Sequence, residues 1–453
     1  MLSLYNLLPQ RGRLGGGLAH AFALIRADKL FSAIYIAGTA VAIASAMVVA
    51  LILHISISNI YPEEHRDRTV CIKGSFEDEE GKFLGFSGYS PVAVEEMFNH
   101  LECAEVVSAK MESSYVYDFK ACAEIGKQEV PVTTKFTDAN FYHLYDFKFI
   151  DGRPYTDEHL QNGDKCIVIT DALARRVFGT TDKVVGRELL LNYLPYRIIG
   201  IVREVSPLLY DSSADVYLPY TMQDSRNHYQ GGEVSYAGGL EVTVLLKEGC
   251  TFRMLADELE PYRARYLSML KQQTGKEYKW FINAQPHWAK TLDFFPSADK
   301  TTGDMLYNLM LPALLMLLLL LLPAINLSGL VSNRMESRVA EMGIRKTFGA
   351  KRRGLLREVI SENLVLTLCG GIVGYLLSWL FISAVRESTL FLMFFNRDLD
   401  PVTGVTLQPD MFLTPWLFLI AFVCCAVLNL MAALIPAWTS LRKPIVESLN
   451  QKR

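Results

Sequence analysis

A membrane protein with four transmembrane α-helices, and a large α/β (α+β) extracytoplasmic domain between helices 1 and 2, is the fold class this sequence predicts. Three observations predict it. Four stretches, 30–62, 305–333, 363–385 and 411–441, contain no Asp, Glu, Lys or Arg, and each exceeds the roughly 20 apolar residues a helix needs to cross a bilayer. The polar block 55–304 separates the first stretch from the second. The formal net charge of −3 conceals a segregation: residues 1–30, 331–362 and 442–453 carry +3, +4 and +3, whereas 55–304 carries −11 and 386–410 carries −2. Lys and Arg close to a span resist translocation, so the three basic segments belong in the cytoplasm, while a long domain translocates whatever its charge.

The expected order runs from the inside outward and back. Residues 1–29 form a cytoplasmic N-terminus. Within it, 17–29 places Leu18, Phe22, Ile25 and Arg26 at helical spacing, as an amphipathic surface helix or as the inner end of the first span. Transmembrane helix 1 covers 30–54; its length and the absence of a cleavage signal read as a retained anchor. The extracytoplasmic domain covers 55–304. Transmembrane helix 2 covers 305–330, a cytoplasmic hairpin 331–362, helix 3 363–385, a short outer loop 386–410, helix 4 411–440 and a cytoplasmic tail 441–453.

Inside the domain, 196–205 and 240–248 are apolar and β-branched and read as strands. Residues 164–179 read as a strand and then a helix, with Asp171 as N-cap and Gly179 as the stop. Residues 90–109 read as helix then strand, and 251–275 as a helix interrupted by Pro261. Strands alternating with helices predict a compact α/β domain. Five cysteines, Cys71, Cys103, Cys122, Cys166 and Cys250, lie in this block at irregular spacing. No disulfide framework is legible; they read as buried small hydrophobes, with one bridge left open. Cys369, Cys424 and Cys425 read as packing residues of the spans. "GGIVG", with Gly370, Gly371 and Gly374, contains a G-x-x-x-G that lets two helix backbones approach, between subunits or within one.

The chemistry of catalysis is missing. No P-loop, H-E-x-x-H, paired C-x-x-C, EF-hand loop or nucleophile elbow is present. The eight His have no ligand spacing; His54 falls at the outer end of its span, within reach of water. Catalytic, cofactor and metal sites are therefore expected to be absent. Asp151, Arg153 and Asp171 are the one set that could be imagined as a catalytic centre, but "DGRP" reads as a structural turn with Arg153 paired to an acid. The spans hold no Asp, Glu, Lys or Arg, which argues against ion-coupled transport through them. The hairpin 331–358 is longer than a connector needs and is where a cytoplasmic partner would dock.

Four passages carry a family resemblance. "FYHLYDFKFIDGRPYTDEH" and then "CIVITDALARRVFGTTDKVVGRELLLNYLPYRIIGIVREV", within 141–205, are similar to the periplasmic core domain of the MacB/FtsX-like permeases of the type VII ABC transporter superfamily. "SRVAEMGIRKTFGAKRRGLLREVISENLVLTLCGGIVG" (337–374) resembles that family's cytoplasmic R-x-x-E-I-G-I-R-x-x-x-G-A stretch. "IPAWTSLRKPIVESLN" resembles its closing segment, and "RADKLFSAIYIAGTAVAIASAMVVALIL" its opening one. Asp182-Lys183 replaces the usual Asp-Pro, and Phe348 stands where Leu is commoner. The resemblance implies a non-catalytic permease subunit in the bacterial inner membrane. It implies two such chains as a homo- or heterodimer and a separate cytoplasmic ABC ATPase holding ATP and magnesium. A periplasmic adaptor is compatible with it; membrane lipid surrounds the spans, and no nucleic acid is involved. Glu341, Gly343, Arg345, Gly349 and Ala350 match the motif, and with Lys346 would form the ATPase-docking turn. ATP-driven movement would pass through the spans to the outer domain, for efflux, lipoprotein release or control of cell-wall hydrolases. The competing reading is a membrane-anchored sensor or scaffold without an ATPase.

Overall fold

The computed structural model of the protein describes residues 29–77, 80, 83–112, 119–222, 237–292, 310, 313–319, 321, 325, 329, 332, 344–345, 347–385 and 415–442. The surface helix expected before residue 29, the outer loop 386–410 and more than half of the span expected at 305–330 lie outside the described residues; within that span, 313–319 is helical.

Helix α1 spans Lys29–Ile57. It is apolar on every side, with a mean hydropathy of 2.5, the composition of a helix surrounded by lipid or protein rather than of a surface helix. The chain then enters a mixed domain. Strands β1 (Thr69–Glu77) and β2 (Phe83–Tyr89) lead to α2 (Pro91–Ala93), which continues as a π turn over Val94–Phe98. Ser90 caps it, its Oγ accepting from the Ala93 N–H, and Pro91 takes the first helical position, where its missing N–H breaks no bond. Strands β3 (Ala104–Glu112), β4 (Phe119–Cys122), β5 (Val130–Val132) and β6 (Thr134–Thr137) precede α3 (Phe141–Leu144). Then come β7 (Phe149–Gly152), α4 (Asp157–Asn162), β8 (Cys166–Thr170), α5 (Asp171–Phe178), β9 (Glu188–Leu191) and β10 (Leu194–Val202). The domain continues through β11 (Val216–Pro219), β12 (Ala237–Gly238), β13 (Glu241–Leu246), α6 (Phe252–Thr274), β14 (Lys279–Pro286) and α7 (His287–Thr291).

Among the described residues these strands join one sheet in the order β12-β2-β1-β13-β3-β6-β11-β8-β10-β9-β4-β5, with β14 also on β1 and β7 also on β10. Pairing is antiparallel except for β8 with β10 and β6 with β11. Alternation along β8 shows how the sheet is covered. Ile167 and Ile169 enter one core, with Leu255 and Leu259 of α6 and Leu173 of α5. Cys166 and Val168 enter a second core, with Phe141, Tyr142, Tyr155 and Tyr217. Successive strand residues face opposite ways, so a strand buried throughout requires cover on both faces.

Three expectations change. Thr170, not Asp171, caps α5: its Oγ1 accepts from the Leu173 N–H at 3.2 Å. Asp171 is the first helical residue and pairs with Arg175 at 2.9 Å, a carboxylate at the positive end of the helix. Pro261 does not break α6, which runs through it, because a continuous apolar face through Leu255, Leu259 and Tyr266 packs on the core and outweighs one missing hydrogen bond. Arg153 makes no ion pair among the described residues; the turn is set by its N–H donating to the Ile199 carbonyl at 3.1 Å. Gly152 there has φ +73°, and a Cβ would lie 2.2 Å from that same carbonyl oxygen.

Helices α8 (Arg352–Val385) and α9 (Pro415–Arg442) pack with α1 through residue 52 as a second unit. Tyr35 of α1 lies with Leu355, Val359 and Leu366 of α8 and Ala433 of α9, and its hydroxyl contacts Thr367 Oγ1 at 3.4 Å. Ile43, Ala46 and Met47 pack on Ala421 and Cys425. Two described helices, Lys29–Ile57 and Arg352–Ala384, are long and apolar enough to cross a membrane, and a shorter apolar run covers Trp416–Met431.

Candidate functional site

Three arrangements of residues stand out. The first is the turn at the head of α8. Glu341, Gly343 and Lys346 lie outside the described residues, whereas Arg345, Gly349 and Ala350 lie within them. The Phe348 N–H donates to the Ile344 carbonyl at 3.2 Å and the Ala350 N–H to the Arg345 carbonyl at 3.0 Å. Gly349 between them has φ +89°, the left-handed conformation that closes a helix and that glycine adopts without strain. Beyond the turn, Arg345 Nη1 donates to both carboxylate oxygens of Glu358 at 3.1 and 3.0 Å, tying the arm before the turn to α8 after it. Phe348 is 84% exposed at the tip.

The second is the glycine face of α8. A Cβ on Gly370 would lie 2.7 Å from the Thr39 Cβ, and one on Gly374 would lie 2.7 Å from the Ala40 carbonyl oxygen. A Cβ on Gly371 would meet the Phe422 ring at 2.7 Å. The small residues therefore face α1 and α9 of the same chain, where close backbone approach leaves no room for a side chain.

The third, which no sequence pattern announces, is a buried charged cluster in the outer domain. Arg66 Nη1 donates to the carbonyls of Ile55 and Ser58 at 2.6 and 2.9 Å, and its Nε donates to Glu63 at 2.7 Å. Two of the four orphan carbonyls at the end of α1 thus find a cationic donor. Glu63 also accepts from Ser212 Oγ and lies 3.4 Å from His287 Nε2, which lies 3.6 Å from Asp211. Asp211 pairs with Lys110 and, at 2.7 Å, with Lys290. Lys290 also reaches Glu241 at 2.7 Å. Glu63, Lys110 and Asp211 are each at most 4% exposed. Burial by itself would raise the three carboxyls, but Arg66 acting on Glu63, and Lys110 and Lys290 acting on Asp211 and Glu241, hold them below the ordinary carboxylate range. Burial would lower Lys110 and Lys290, yet the carboxylates hold both above the ordinary lysine value. His287 is lowered, by burial first, against its hydrogen bond with Glu63. The only local signal is the charged run 63–68 just after the first span; its partners include His287, more than two hundred residues further along the chain.

Asp151, Arg153 and Asp171 do not assemble a catalytic set. Asp151 accepts from its neighbour Gly152 N–H, and Asp171 accepts from the Glu204 N–H at 2.8 Å. Among the described residues no group of His, Cys, Asp and Glu is arranged to hold a metal.

Comparison with known proteins agrees with this division. Residues 32–262 match the model of the MacB-like periplasmic core domain, and residues 313–445 match that of the FtsX-like permease C-terminal region. The macrolide export ATP-binding/permease protein MacB of Escherichia coli (strain K12) is 24% identical over 327 residues, 72% of this chain and 44% of that protein. Its counterpart in Shigella flexneri is 23% identical over the same length. The chain thus spans less than half the length of these curated relatives. Among solved structures, a domain of a putative permease protein from Porphyromonas gingivalis matches with a TM-score of 0.37 and 21% identity, covering 55% of this chain and 98% of that one. The periplasmic region of MacB from Actinobacillus actinomycetemcomitans matches with a TM-score of 0.34 and 15% identity, covering 51% and 94%. The core-domain model alone takes in just over half of the chain, and the permease model takes in most of the C-terminal remainder, so the chain belongs to the MacB/FtsX-like family of ABC-transporter permeases.

Proposed function

We propose that this chain is the permease subunit that carries ATP-driven movement of a separate cytoplasmic ATPase to the periplasmic domain, as one half of a dimer. In this reading four helices cross the inner membrane, both termini are cytoplasmic, and ATP and magnesium are held by the partner. The cargo is handled outside, in efflux, lipoprotein release or control of cell-wall hydrolases, without a polar path through the spans.

The observation that carries the reading is the turn at the head of α8. A glycine-closed turn, braced by Arg345 and Glu358, presents a bare phenylalanine 84% exposed. An exposed aromatic on a rigid support is the kind of anchor on which binding energy concentrates. Two further features suit a lever. Helix α1 runs unbroken for 29 residues, and Arg66 fastens its last carbonyls to the outer domain.

The test is a pull-down of the tagged chain in mild detergent, with ATPase activity measured on the captured material. Co-purifying activity is expected, and Glu341→Ala, Arg345→Ala and Phe348→Ala should each weaken it, Phe348→Ala by about tenfold or more for an anchor worth upwards of ~1.4 kcal/mol. A chain captured without any associated hydrolysis would replace this reading with that of a sensor or scaffold.

A further inference from the structure

The outer domain contains one place where two thiols meet. Cys103 directly precedes β3, and Cys250 lies in the turn between β13 and α6. The Lys247 N–H donates to the Cys103 carbonyl at 3.0 Å, and the Cys250 N–H donates back to the Lys247 carbonyl at 3.1 Å. This turn folds Cys250 over the residue that pairs with Cys103. Two other contacts hold the same junction. Glu258 of α6 accepts from the Glu102 and Cys103 N–H groups, and Lys247 Nζ donates to the Glu102 carbonyl at 2.8 Å. The neighbouring Cys250 thiol first, and burial after it, push the Cys103 thiol up to about 12. Cys103 is 7% exposed, while Cys250 is half-buried and reachable from solvent.

From this geometry we propose that Cys103 and Cys250 form a disulfide in the mature protein, stapling the start of β3 to the turn that launches α6. The inference rests on the periplasmic placement of the domain, a compartment in which disulfides form and persist. The oxidant is a protein disulfide of the thiol–disulfide oxidoreductase class. The Cys250 thiolate attacks one sulfur of that disulfide, forming a mixed disulfide and releasing the other sulfur as a thiolate. Cys103, on losing its proton, then displaces the oxidoreductase. Two S–H bonds give way to one S–S bond, two protons are released or taken up by the donor, and two electrons reduce the donor to its dithiol. The remaining cysteines of the domain stay reduced. Cys71, Cys122 and Cys166 are buried, which keeps them from an oxidoreductase, whereas the half-buried Cys250 is the thiol that can begin the exchange.

Trypsin places the two cysteines in separate peptides, 83–110 and 248–253. Cells carrying the full chain are quenched in acid, free thiols are alkylated under denaturing conditions, and the digest is analysed before and after reduction. The expected result is a linked 83–110/248–253 species that reduction abolishes, with 71, 122 and 166 alkylated from the start. Cys103→Ser should expose Cys250 to alkylation, and Cys250→Ser should expose Cys103. Complete alkylation of both residues before reduction, or a link from either one to another cysteine, overturns the proposal. A parallel sample of folded, reduced protein is treated with oxidised glutathione. If the link forms there but never in cells, the native bridge is overturned through the domain's placement. If it forms in neither sample, the pairing geometry itself is wrong.

Discussion

Arg66 reaches back along the chain to the carbonyls of Ile55 and Ser58 while Glu63 neutralises it, so a single side chain both ends α1 and begins the outer domain. Its neighbours continue a buried polar chain from Glu63 through His287 to Asp211, and from there in opposite charges through Lys110, Lys290 and Glu241. Removing one partner from such a buried set leaves an uncompensated charge, at a cost of about 3–5 kcal/mol, whereas exposed pairs are worth about 1 kcal/mol or less. Asp211→Asn should therefore lower the unfolding free energy of the full chain in detergent by about 3 kcal/mol. Arg175→Ala, whose side chain is 60% exposed, should change it by under about 1 kcal/mol. The pH dependence has a definite sign. The carboxyls of Glu63, Asp211 and Glu241 are held below their unfolded values of 3.8 to 4.5, so their stabilisation is complete above that range and is lost as pH falls through it. His287 is held below 6.5, so protonation of the unfolded chain begins to erode stability as pH falls past that value. Unfolding midpoints should decline below about pH 6.5 and most steeply below about 4.5, with a shallower acid limb in Asp211→Asn. A flat profile between 7 and 4 would contradict the charged cluster.

At the scale of elements, what surrounds each helix decides what its residues can tolerate. Gly374 faces a backbone oxygen of α1, whereas Gly371 faces the Phe422 ring of α9, which can rotate. Gly374→Ala should thus lower the thermal midpoint of the detergent-solubilised chain more than Gly371→Ala, by an overpacking cost of about 1–3 kcal/mol. The reverse order would place the contact of α1 with α8 elsewhere. The same logic explains α6, where Pro261 survives inside a helix because Leu255, Leu259, Tyr266 and the core they enter hold both halves in line. For α5, a threonine and an aspartate stand side by side at its start, and the strand geometry of Thr170 rather than the charge of Asp171 decides which one caps.

At the scale of the whole molecule, the division into helices and outer domain is carried by charge. The family is one of inner-membrane permeases with a periplasmic domain, and the Lys and Arg of the flanks 1–30, 331–362 and 442–453 predict, by the positive-inside rule, that those flanks of this member are cytoplasmic. Reporter fusions after residues 275 and 400 should report the periplasm, and fusions after 350 and 450 the cytoplasm. A periplasmic signal from the position after 350 would remove the docking turn from reach of any ATPase.

Local pattern in the sequence was enough to read a long apolar helix at 29–57, a mixed α/β domain after it, a second apolar helix after the basic hairpin, and the family motif at the head of α8. These are local properties, readable because apolar runs, loop charge and a motif with fixed spacing do not depend on distant partners. Strands such as β10 and β13 were legible for the same reason. Tertiary structure alone decided that Gly370 and Gly374 face Thr39, Ala40 and Ile43 of their own chain, because a small-residue stripe specifies close approach without specifying to what. It alone joined Arg66, Asp211 and Lys290 and brought Cys103 to Cys250, because contacts across so many residues arise only once the sheet has set its register.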